Sequence, residues 1–201
     1  MAGRFAERGW VPATSGNFSF CVREGGRERV FVTGSGLDKG DLRPDELLEV
    51  RFGGANGREY AMVAGSGKPS AETSLHGVIY RARPGAGAIV HGHSIWNTLL
   101  SGKFAGDGAL VLEGYELLKA LSGVRTHAHR EVVPVLGNAQ DYGELGERLG
   151  EARVAHPDAH GVLLERHGLY TWGQTMADAW RQAEALEFVF EVEGRRMGFS
   201  I

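Results

Sequence analysis

Ala88-Ile89-Val90-His91-Gly92-His93-Ser94 is a short apolar run that ends in two histidines one residue apart. Side chains on an extended segment alternate between faces, so residues i and i+2 point the same way. His91 and His93 therefore aim both imidazoles at one point, and Gly92 between them adds no bulk to the opposite face. Two neutral imidazoles aimed at one point suit a metal ion. Paired histidines also occur as hydrogen-bonded surface or core residues, so the pair alone leaves both readings open. A third nitrogen donor comes from Val162-Leu163-Leu164-Glu165-Arg166-His167-Gly168, where an apolar run again ends in His followed by Gly. Three protein ligands leave the fourth position of a tetrahedral ion free, which is the catalytic arrangement.

Composition narrows the setting. The chain has 201 residues, 42% of them apolar and 23% charged, enough for one globular domain with a sizeable core. We expect a single domain over residues 1–201, since no linker or composition break divides it. A formal charge of −3 gives no broad basic footprint for nucleic acid. No apolar run approaches a membrane span, and Met1 to Arg8 lacks the apolar centre of a secretory signal, so a cytoplasmic protein is expected. Cys21 is the one cysteine, which rules out an internal disulfide and leaves N and O donors for a metal.

Outward from the histidines, the chain alternates short strands and helices. Phe18 to Val22 and Val30 to Thr33 read as a hairpin around Arg23-Glu24-Gly25-Gly26-Arg27. The second strand empties into Gly34-Ser35-Gly36, a turn whose backbone N–H groups suit an anion or which simply needs positive φ. It is no dinucleotide fingerprint, because its glycines do not open an apolar helix. Residues 41–63 read as a turn of helix and two short strands. Ser70 reads as the N-cap of a helix running to about Arg83, with Glu72 in its first turn. Further on, Ile95 to Leu100 and Glu113 to Leu121 read as helices, the second presenting Glu116. Glu131 to Leu136, His160 to Glu165 and Leu169 to Gly173 read as strands, and Asp141 to Ala155 as an amphipathic helix. Met176, Ala179, Trp180, Ala183, Leu186 and Phe190 mark the core stripe of a last helix. His127 and His129 repeat the i, i+2 spacing in a polar stretch and form a rival ligand pair.

Pro12-Ala13-Thr14-Ser15-Gly16-Asn17-Phe18-Ser19, Val32-Thr33-Gly34-Ser35-Gly36, Lys68-Pro69-Ser70-Ala71-Glu72, His91-Gly92-His93-Ser94 and Arg166-His167-Gly168 occur in an order that resembles the class II aldolase/adducin family. Within it, Leu112-Glu113-Gly114-Tyr115-Glu116-Leu117-Leu118-Lys119, Val133-Pro134-Val135 and Gly168-Leu169-Tyr170-Thr171-Trp172-Gly173 resemble the methylthioribulose-1-phosphate dehydratases of methionine salvage more than the sugar-phosphate aldolases. The resemblance implies an α/β single-domain αβα sandwich around a largely antiparallel sheet. It implies one Zn2+ per subunit on His91, His93 and His167, and a homotetramer with sites at subunit boundaries. It places a sugar-phosphate substrate near Ser15, Asn17, Thr33, Gly34, Ser35 and Ser70. The activity it implies is dehydration of 5-methylthioribulose 1-phosphate, with Glu116 or Glu72 moving the protons. An aldolase or epimerase acting through the same metal-stabilised enediolate is the alternative, and a non-catalytic module like adducin the third reading. Two departures stand out. Only nine residues precede Trp10, where relatives carry more of a first helix, and histidine stands at 127 and 129 where bacterial relatives often show an acidic residue.

Overall fold

The computed structural model describes residues 2–198. After a first helix, α1 (Ala2–Glu7), the chain forms β1 (Asn17–Glu24), β2 (Arg27–Thr33), β3 (Leu47–Gly53) and β4 (Glu59–Ala64). Then come α2 (Thr73–Ala82), β5 (Ala88–Gly92), α3 (Ile95–Phe104), β6 (Ala109–Glu113) and β7 (Arg130–Leu136). The chain closes with α4 (Tyr142–Ala155), β8 (Gly161–Leu164), β9 (Gly168–Gly173) and α5 (Met176–Gly198).

The strands join one nine-stranded sheet in the order β4-β3-β2-β1-β5-β9-β8-β7-β6. Every pairing is antiparallel except β7 with β8. Strand alternation sorts the apolar side chains onto two faces. Ile89, Val162, Leu164 and Tyr170 lie under α2 and α4, packed with Leu75, Val78, Ile79, Leu145 and Leu149. The intervening Leu163 and Leu169 face α3 and α5, against Leu100, Leu186, Val189 and Phe190. Ala88 and Val90 meet α1 and α5 through Phe5, Trp180 and Ala183. Helices thus cover both faces, giving the expected three-layer αβα sandwich. None of the helices among the described residues is long and apolar enough to cross a membrane.

Two segments differ from the sequence expectation. The helix expected over Glu113 to Leu121 is a 3-10 segment, Glu116–Ala120. Tyr115, Leu118 and Leu121 all pack into the core at a spacing of three, which matches three residues per turn rather than 3.6. And α2 begins at Thr73 with Glu72, not Ser70, at the cap position. The Ser70 hydroxyl instead accepts from Asn17 Nδ2 at 3.2 Å and from the Glu72 N–H at 3.3 Å. Elsewhere the expected helix start holds: Asp141 caps α4, accepting from the N–H groups of Gly143 and Glu144.

Candidate metal centre

His91 lies in β5, flanked by Asn17 of β1 and by Tyr170 of β9. The register stacks the His91 ring on that of Tyr170, with centroids 3.9 Å apart. It puts His91 on the α2 face, fully buried. His93 follows the strand, and its N–H donates to the Trp10 carbonyl at 2.6 Å. His167 sits in the turn between β8 and β9. Arg166 before it adopts φ +50, and the Arg166 N–H is held by the Ser101 hydroxyl at 3.0 Å. Two glycines let these parts meet. A Cβ on Gly92 would stand 3.0 Å from the Trp10 carbonyl oxygen, and one on Gly168 only 2.5 Å from the Gly92 oxygen and 2.8 Å from the His91 ring.

The result is a cluster of His91, His93, His167 and Glu72, with ligand atoms all within 4.8 Å of one another. His93 Nε2 is 2.8 Å from His91 Nε2. Glu72 Oε2 is 3.3 Å from His91 Nε2, and Oε1 is 3.0 Å from His167 Nε2. His91 Nδ1 meets the Leu169 carbonyl at 3.0 Å. A carbonyl only accepts, so the proton of neutral His91 resides on Nδ1 and its Nε2 is a bare lone pair. That lone pair faces a carboxylate oxygen, which also cannot donate. His93 Nε2, 2.8 Å away, satisfies that lone pair when it carries the ring proton; with that proton on Nδ1 instead, the two lone pairs and the carboxylate are free to share a cation. Anchoring of the remote ring nitrogen by a carbonyl is also how metal-bound imidazoles are held. His167 Nδ1 is a buried atom without a hydrogen-bond partner. The donor set, three nitrogens and a carboxylate, fits a divalent transition metal.

Electrostatics agree with that use. Burial pushes His91 down to about 4 and His93 down to about 3, so both imidazoles are neutral near pH 7. Burial works to raise the Glu72 carboxyl, but His91, His167 and the Asn17 amide outweigh it and hold the group below the usual carboxylate range.

Glu72 is positioned by a relay of hydrogen bonds. Asn17 Nδ2 donates to Glu72 Oε2 at 2.6 Å. The Asn17 oxygen therefore accepts from His76 Nε2, at 2.5 Å. His76 Nδ1 then accepts from the Ser19 hydroxyl at 2.7 Å, and Ser19 Oγ accepts from Tyr80 at 3.0 Å. Burial pushes His76 down to about 4, which keeps it neutral in this role. Sequence reading left His76 without a role; its place one turn after Glu72 on α2 was the available signal.

The anion-friendly turns gather beside this cluster. Gly34 bridges Pro69, and the Ser35 N–H donates to the Lys68 carbonyl at 2.8 Å. Asn17 is committed to Glu72 and His76, while Thr33 Oγ1 accepts from the Phe18 N–H and keeps its own proton to donate. Ser15 Oγ is buried without a partner. Lys39, absent from the sequence-based candidates, is fully buried with its ammonium on the Thr14 and Leu37 carbonyls, at 3.1 and 2.8 Å. It ties the Ser15 turn to the Ser35 turn. A cleft of about 610 Å³ opens onto Glu72, His93 and His167, rimmed by Tyr142 and Arg166.

Glu116 is not brought to this cluster. Its side chain is 71% exposed, paired with Lys119 and 3.8 Å from His127. It lines a separate groove with Trp96, Leu117 and Phe188. The rival histidines do not converge on each other either: His127 faces Glu116, and His129 faces Glu131.

Comparison with known proteins gives the family. The family model described as "Class II Aldolase and Adducin N-terminal domain" matches residues 1–193. A methylthioribulose-1-phosphate dehydratase of Methylococcus capsulatus is 48% identical over 98% of this chain and 91% of its own length. One from Pseudomonas aeruginosa PAO1 is 45% identical over 99% and 93%. An L-fuculose-1-phosphate aldolase from Thermus thermophilus superposes with a TM-score of 0.70 at 25% identity, covering 98% of this chain and 91% of that one. A further L-fuculose 1-phosphate aldolase structure gives 0.78 at 21% identity, over 100% and 84%.

Proposed function

The chain belongs to the class II aldolase and adducin family, and from that premise we propose that it is a hydro-lyase of methionine salvage. It converts 5-methylthioribulose 1-phosphate to 2,3-diketo-5-methylthiopentyl 1-phosphate. Full-length relatives of that name at 45–48% identity support the substrate. The observation that carries the chemistry is the meeting of His91, His93, His167 and Glu72 around one point.

The C3 proton of the substrate lies α to the C2 ketone. Its removal gives an enediolate; the electron pair then re-forms the C2 carbonyl, the C3–C4 double bond forms, and the C4 hydroxyl leaves as water after protonation. The resulting enol tautomerises to the diketone. His91, His93 and His167 would hold one zinc ion per subunit, which would supply Lewis acidity at the site. Of the chain's own groups, Glu72 is the carboxylate fixed beside the imidazoles by Asn17. Glu116 is the second carboxyl, and we assign it the proton transfers at C3 and at the C4 hydroxyl. Because it is exposed and remote from its own cluster, it would serve the site of an adjacent subunit in a cytoplasmic homotetramer. Exposed Ile95, Leu99, Leu117 and Phe188 supply apolar surface for such packing. The substrate phosphate takes the turns of Ser15, Gly34, Ser35 and Ser70, with Lys39 beneath them. Asn17, held by Glu72 and His76, shapes that pocket, and the Thr33 hydroxyl donates its proton there.

The test is to incubate the protein with 5-methylthioribulose 1-phosphate and identify the product. The diketone phosphate is expected, whereas dihydroxyacetone phosphate and methylthioacetaldehyde would mean C3–C4 cleavage and an aldolase. His93→Ala should lose both metal and turnover; turnover without bound metal would overturn the site.

A further inference from the structure

At the other end of β8 from His167, a second group of side chains converges. His129 Nε2 and His160 Nδ1 approach the same oxygen, Glu131 Oε2, at 2.8 and 2.9 Å. The three ligand atoms lie within 4.8 Å of one another. Glu131, on β7, is 1% exposed. Its other oxygen accepts the His160 N–H at 2.9 Å. The carboxylate is thus fixed rather than solvated, unlike a surface acid. None of these residues takes part in the proposed dehydration.

His160 Nε2 meets the Ser122 carbonyl at 2.8 Å. That carbonyl only accepts, so Nε2 carries the proton and Nδ1 of a neutral His160 presents a lone pair to a carboxylate. A contact of 2.9 Å between them requires positive charge in between: an additional proton or a metal ion. The carbonyl-anchored imidazole with its other nitrogen turned to a shared centre is the geometry of a held metal ligand. The site also has an open side. A cleft of about 860 Å³ runs past His129 and His160, bordered by Arg83, Arg125 and Gln182. Two imidazoles and one carboxylate select a zinc-class ion over calcium or magnesium, which take oxygen donors.

We propose that His129, Glu131 and His160 form a second transition-metal site, independent of His91, His93 and His167. Its ion would fasten the 122–130 loop to β7 and to the residue that enters β8. Three protein ligands would leave the ion's fourth position open toward this cleft, apart from the first cluster.

The test measures zinc stoichiometry on the full-length protein. The protein is stripped with chelator, equilibrated by dialysis against dilute Zn2+, and analysed for metal per chain. Wild type should hold two equivalents, His129→Ala one, His93→Ala one, and the double variant none. His129 is the safe position to alter, since its ring is partly exposed whereas Glu131 is buried. In His93→Ala, Zn2+ at about 100-fold over its Kd should raise Tm by on the order of 5–10 °C, and this shift should vanish in the double variant. One equivalent in wild type that His129→Ala retains would leave a protonated triad and overturn the proposal. So would a second equivalent that persists in His129→Ala. One equivalent lost in His129→Ala but kept in His93→Ala would sustain it while refuting the first site.

Discussion

Replacing Asn17 by Leu separates two accounts of this residue. If Asn17 only contacts substrate, the free protein should barely notice the change. The structure instead has its amide donating to the buried Glu72 carboxylate and accepting from the fully buried His76. Leu has the same number of side-chain heavy atoms and the same branch point, so no cavity forms. The loss is one hydrogen bond to a charged acceptor, about 1.5–3 kcal/mol, and a stranded His76 N–H, about 1–3 kcal/mol. A destabilisation of about 4 kcal/mol is therefore expected. For a chain of this length that corresponds to a fall in Tm on the order of 10 °C. The assay is urea and thermal unfolding of chelator-stripped protein, followed by tryptophan fluorescence at fixed subunit concentration. Ser70→Ala, which loses only a long contact to Asn17 at 3.2 Å and one to the Glu72 N–H, should cost about 1 kcal/mol or less and serves as the control. A change under 1 kcal/mol for Asn17→Leu, accompanied by a raised KM, would refute the relay and return Asn17 to the substrate.

Glu116→Gln should lower kcat by about 10²–10⁴-fold while leaving metal content unchanged, because Glu116 is not one of the clustered ligands; a larger loss in Glu72→Gln would transfer the proton-moving role to Glu72. Glu187 is buried beneath the loop carrying His93, accepting from Ser94 at 2.5 Å and Asn97 at 2.7 Å, and burial pushes its carboxyl up to about 7. The folded value exceeds the unfolded one, so this group favours the folded state at low pH and loses that contribution as pH rises from about 4 through 7. Glu187→Gln should therefore flatten the decline in urea midpoint between pH 5 and pH 8, a difference of a few kcal/mol; parallel pH curves for variant and wild type would contradict the buried-acid reading.

Much of this protein was legible in one dimension. Strand alternation and helical stripes follow from local burial periodicity, and they placed β5, β8, β9, α4 and α5 within a few residues of their observed bounds. His91 and His93 were readable as a pair because an i, i+2 spacing on an extended segment is itself a geometric statement. The order of the five motifs tied His167 to them through family resemblance. What the chain order could not show was any encounter set by sheet topology. That β1 and β9 flank β5, placing Asn17 and Tyr170 against His91, depends on long-range pairing. So does the His76 relay, whose bonded partners are up to 61 residues apart. The cap of α2 was misread because Ser70 competes for Asn17, a partner that local propensity cannot see. Glu131 with His129 and His160 went unnoticed for the same reason: the last two are brought together only when β7 and β8 lie side by side. Sequence determined which atoms could bind and donate; the folded sheet decided which of them face one another, since a hydrogen bond or a metal site requires contact within a few ångströms whatever the separation along the chain.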